Sequence, residues 1–199
     1  LMHLGKLCTG GAGLVIAEAT GVSAAGRISP GCLGLYSDAN EAAIKRVVDF
    51  CQQQGTGQIG VQLAHAGRKA STGAPGTGRQ AIGPDEADGW QTVAPSALAY
   101  ADDWNMPLAL DDAGLEEVKA QFVAATHRAA RAGYVLAELH AAHGYLLHQF
   151  LSPISNQRND GYGGDLDGRM RFPLEVFAAV RAAWPEDRPL GVRVSATDW

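Results

Sequence analysis

Apolar residues fall into four short runs: Leu14-Val15-Ile16-Ala17, Ile59-Gly60-Val61-Gln62-Leu63, Tyr134-Val135-Leu136-Ala137 and Leu190-Gly191-Val192-Arg193-Val194. Runs this short and this continuous predict strands buried on both faces of a parallel sheet. Between them the period changes to that of helices. Asp38 and Glu41 have capping-box spacing and open a helix over 39–54, with Ile44, Val47, Val48 and Cys51 inward and Gly55 at its end. Asp111 predicts an N-cap for a helix to about Ala132, with Leu115, Val118, Phe122, Ala125 and Ala129 inward, His127 outward and Gly133 as its stop. A further helix is expected over 169–184, closed by Trp184-Pro185. Leu1 to Leu7 reads as the end of a helix closed by Gly10-Gly11-Ala12-Gly13, and the chain stops just past a strand, so both ends read as cut.

Two stretches lack either period. Gly21 to Ser37 is a Gly-, Ser- and Pro-rich loop. His65 to Pro107 is a long excursion, punctuated by Pro75, Gly76, Gly78, Gly83, Pro84, Gly89 and Pro95, and a connection of that length marks a functional segment or an inserted lid. Within it, Trp90 to Ala94 is expected to form part of a small hairpin, and Arg68 and Lys69 to be solvated. The order is therefore β, α, β, insertion, α, β, α, β. That order fits part of a (β/α)8 barrel, whose chemistry gathers at the C-terminal ends of the strands.

At that end of the third run stand His140, His143 and Tyr145, three side chains able to donate to one oxygen or move a proton. A histidine pair at this spacing could hold a metal, but zinc needs a third protein ligand, and no HExxH or CxxC accompanies it. Two polar residues sit where a buried strand should have none. Gln62 must find partners for both donor and acceptor, and Arg193 calls for an anion, because an unpaired buried guanidinium is costly.

The stretch ELHAAHGYLLHQFLSPISNQRNDGYGG closely resembles the signature of the old yellow enzyme family of FMN-dependent ene-reductases. The similarity extends to GLVIAEATGVSAAGRISPG, VQLAHAGRKAS and GVRVS, and the HAGRKA and HxxH forms are most similar to the xenobiotic-reductase branch. Asp165 and Gly168 depart from it, standing where the family usually has Ser and Asn. The resemblance implies that residues 1–199 form one partial TIM-barrel domain, contributing strands two to five with an insertion or lid over about 65–107. It implies FMN as cofactor and NAD(P)H as co-substrate. The reaction implied is reduction of the activated C=C bond of an α,β-unsaturated carbonyl or nitro compound. His140 and His143 would hold the substrate oxygen and Tyr145 would supply a proton. Ala19, Gln62 and Arg193 would contact the flavin. The rival readings are a metal-dependent TIM-barrel hydrolase using His140 and His143, and a non-catalytic fragment unable to retain FMN.

The chain has 199 residues, 46% hydrophobic and 19% charged, with a net charge of −5. That balance argues against nucleic acid or an anionic membrane as partner. Its partners are expected to be small molecules, and a homo-oligomer of the full-length parent stays open. Cys8, Cys32 and Cys51 show neither disulfide-framework nor zinc spacing, no secretory signal precedes them, and a reducing cytoplasm fits best.

Overall fold

The computed structural model describes residues 1–76, 78 and 80–198. Its centre is a four-stranded, all-parallel sheet. β1 (Leu14–Gly21) pairs with β2 (Gln58–Ala64), β2 with β5 (Leu136–Ala141), and β5 with β6 (Leu190–Val194). Two-residue strands β3 (Val93–Ala94) and β4 (Leu108–Ala109) pair beside it. Helices α1 (Met2–Thr9), α2 (Asp38–Gln54), α3 (Asp112–Ala132), α4 (Leu146–Leu151) and α5 (Leu166–Ala183) complete the fold.

Register assigns every strand residue a face. Leu14 and Ile16 of β1 align with Gln58, Gly60 and Gln62 of β2, with Leu136, Glu138 and His140 of β5, and with Gly191 and Arg193 of β6. The opposite face carries Val15, Ala17, Ile59, Val61, Leu63, Ala137 and Leu139, all buried in one core with Val48, Cys51, Phe122, Ala129, Phe172 and Val176 of α2, α3 and α5. The apolar surface buried between sheet and helices holds these layers together. The polar positions are thereby confined to one face.

The helix limits follow their caps. Asp111 accepts a hydrogen bond from Gly114 N and caps α3, whose stripe is buried as the period predicts; Gly133, at φ 99°, ends it in the left-handed region. Asp165 caps α5 through Gly168 N at 2.9 Å. A Cβ on residue 168 would lie 2.1 Å from Gly163 O, so the Asp165 and Gly168 pair suits this tight turn.

Several expectations are corrected. Ser37, not Asp38, caps α2 by accepting from Asn40 N; Asp38 is already helical, and beside it Glu41 takes Arg131 as its partner. Gly55 ends α2 with extended backbone rather than a left-handed residue. β3 and β4 pair in parallel across the excursion, so no hairpin forms there. β1 is not buried on both faces: Leu14 and Ile16 are exposed while Val15 and Ala17 are buried, since the helices cover only one side. Arg193 is likewise exposed, because β6 has only β5 as a neighbour in the described sheet. No described helix is long and apolar enough to cross a membrane.

Candidate active site

The site is built where β5 ends. His140 is the last inward position of the strand and only 3% exposed. Ala142 N donates to its Nδ1 at 3.3 Å, so the neutral ring carries its proton on Nε2. Burial holds the His140 imidazolium down at a pKa of about 4, helped by the positive surroundings of His143, Arg193, His148 and Lys69. His140 is therefore a neutral hydrogen-bond donor near pH 7, not a cationic acid.

The chain then turns through two left-handed residues, His143 at φ 59° and Gly144 at φ 73°. For histidine that backbone is unusual, and tertiary bonds hold it. His143 N donates to Ser195 Oγ, Lys69 Nζ donates to His143 O, and Gly144 N donates to His148 Nδ1. The turn brings the His143 ring edge-on to His140, with centroids 5.0 Å apart, and the Tyr145 ring edge-on at 4.9 Å. The three side chains picked out in the sequence thus form one cluster.

The other expected site residues stand around it. Gln62 lies on the same face, buried, and donates from Nε2 to Glu138 Oε1 at 2.5 Å. Arg193 is the register partner of His140 on β6. Ala19 is half-buried in the irregular stretch of β1 between Ala17 and Thr20. Arg68 and Lys69, expected to be solvated, are instead held: Arg68 donates to Leu98 O and Ala99 O, and the Lys69 ammonium sits over the rings of Tyr100 and Tyr145. Among the described residues, no three His, Cys, Asp or Glu side chains gather as a metal centre would require.

Three further contributors lie inside the family-like stretches, but the sequence did not give them these roles. Gln149, on α4 and almost fully buried, donates to Ala66 O and Gly144 O and accepts from Arg68 N, joining the start of the 65–107 segment to the site turn. Arg158 donates to Pro95 O, Leu110 O and the Asp160 carboxylate, and so anchors the end of that segment. His65, 2% exposed, accepts from Gly67 N on Nδ1, and burial pushes its pKa down from 6.5 to about 4.

His65 gives a pH prediction for the full-length protein. Its folded pKa is depressed, so its contribution is intact above pH 6.5. Below that the unfolded chain takes up a proton the folded chain refuses, and stability declines toward pH 4. Between pH 7 and pH 4.5 the stability advantage of wild type over His65→Asn should shrink by roughly 2.5 kcal/mol in urea titrations. A pH-independent difference would contradict the buried neutral state.

Comparison with known proteins identifies the family. A profile of the NADH:flavin oxidoreductase / NADH oxidase family matches residues 3–199. An NADH:flavin oxidoreductase of Gibberella zeae is 48% identical over 202 residues, covering 100% of this chain and 49% of the relative. An NADPH dehydrogenase of Listeria welshimeri is 45% identical over 197 residues, covering 99% and 53%. Morphinone reductase solved with tetrahydroNAD superposes with a TM-score of 0.81 at 34% identity, over 97% of this chain and 53% of that one. The old yellow enzyme homologue from Zymomonas mobilis gives 0.81 at 30% identity, with the same coverage. The chain spans about half the length of these relatives. Its parallel α/β architecture is part of a TIM barrel, and the chain belongs to the NADH:flavin oxidoreductase / NADH oxidase family.

Proposed function

We propose that the full-length protein is an FMN-dependent oxidoreductase that uses NAD(P)H to reduce the activated C=C bond of an α,β-unsaturated carbonyl or nitro compound. The observation that carries this reading is the contact of His140, His143 and Tyr145 at the C-terminal end of β5, where a TIM barrel places its chemistry. The chemistry on the inner face of the sheet fits a flavin. Glu138 can only accept, so the Gln62 nitrogen faces it and the carboxamide oxygen faces elsewhere, ready to accept from a ring N–H. Arg193 supplies an exposed guanidinium on that face, suited to negative charge, and Ala19 offers a small side chain for close approach. Bound FMN would supply the hydride.

His140 Nε2–H and the His143 ring would hold the substrate oxygen and stabilise negative charge developing on it. A neutral imidazole can donate this bond without giving up its proton, which leaves protonation of the carbon to another group. Tyr145, edge-on to His140, is the phenol in reach of that task. The Lys69 ammonium over the Tyr145 ring, itself bonded to His143 O, fixes both residues in one turn.

The test separates the two half-reactions. Tyr145→Phe in the full-length protein should slow reoxidation of the reduced flavin by an enone at least about tenfold, the low side of typical acid–base contributions. Reduction by NAD(P)H should stay near wild type in stopped-flow traces. Equal slowing of both steps would assign Tyr145 to packing.

A further inference from the structure

We infer that Glu138 is a positioning residue: it fixes which way the Gln62 carboxamide points, and so presents the Gln62 oxygen as acceptor to an imide-like ring edge. The inference rests on the flavin reading above and deepens it.

Gln62 and Glu138 are register partners on adjacent strands, on the face that carries His140. Their bond, Nε2 to Oε1 at 2.5 Å, joins residues 76 positions apart in sequence. A carboxamide is nearly symmetric in shape, and a half-turn exchanges its donor and acceptor ends. Only its neighbours decide between the two orientations. A carboxylate has no proton to give, so the oxygen-inward orientation would set two acceptors against each other. On one side Gly60 and Leu136 form the next register pair and offer no polar side chain; on the other, Gly191 stands across β6 from Glu138, with His140 and Arg193 as the pair beyond. A Cβ at Gly191 would meet nothing within 4 Å, which leaves the carboxylate room on that side.

With one N–H engaged by Glu138, Gln62 retains an acceptor oxygen and a second N–H. That pair complements a ring edge carrying N–H beside C=O, the arrangement of an imide or uracil and of the flavin pyrimidine ring. A substituent on the ring nitrogen would remove the donor that the Gln62 oxygen needs.

The experiment compares FMN with N3-methyl-FMN by fluorescence titration of the full-length apoprotein. Wild type should prefer FMN about tenfold, roughly the value of one hydrogen bond. In Glu138→Gln the neighbour can donate as well as accept, and in Glu138→Ala it does neither, so Gln62 is free to turn. In both variants the preference should fall to about threefold or less. If the preference persists in both, or both flavins weaken together with their ratio unchanged, Glu138 only packs and the inference is overturned. A wild type that binds FMN without preference overturns the inference and leaves the flavin reading standing. A wild type that binds neither flavin overturns both.

Discussion

Replacing His140 with alanine in the full-length protein should lower the rate of enone reduction about a hundredfold while FMN stays bound. The loss of one positioned donor to a developing oxyanion is worth on the order of 3 kcal/mol. The ring is a strong candidate for that donor because its tautomer is fixed by the Ala142 N–H and its burial keeps it neutral. Affinity for a phenolate-type ligand should fall with the rate, since both depend on the same bond. His143 is exposed and its backbone is left-handed, so His143→Ala should cost less. Unchanged turnover and ligand affinity in His140→Ala would remove it from the site.

The second large effect is structural. Arg158→Ala should destabilise the full-length protein by roughly 2 kcal/mol, chiefly because two main-chain carbonyls lose their donor; the ion pair to the exposed Asp160 adds little. The Arg158 side chain is only 9% exposed, and its guanidinium holds the Asp160 carboxyl below the usual carboxylate range. Removing it leaves Pro95 O and Leu110 O without the donor that reaches them at 3.0 and 2.5 Å. Asp160→Asn keeps the arginine's two carbonyl bonds and should cost much less. Denaturant midpoints at matched m-values decide it, and a loss under about 1 kcal/mol would show that the segment ending near Pro107 is held by other contacts.

How far the sequence reached depended on whether a feature is local. The helix of Asp112–Ala132 was legible end to end because cap, stripe and terminating glycine all lie within it. His140, His143 and Tyr145 were legible because they are close in sequence. α4 was missed: its six residues, LLHQFL, lie inside a stretch rich in histidine and aromatic side chains, too short for a helical period to emerge. The parallel pairing of β3 with β4 could not be read from two residues on each side. Arg193 is exposed at the edge of the described sheet, because an apolar run says that a strand is covered but not on how many sides. Glu138 gave no signal of its own. A single acid in an apolar strand becomes meaningful only when the register sets Gln62 beside it.

The central claim is that the inner face formed by Gln62, Glu138, His140 and Arg193 belongs to a flavin site. The most direct measurement is the visible absorbance of the purified full-length protein, before and after NAD(P)H is added anaerobically. The account predicts a yellow protein whose chromophore is released on denaturation as FMN, is bleached by NAD(P)H and returns when an enone is supplied. A colourless protein that takes up no FMN on titration would contradict it.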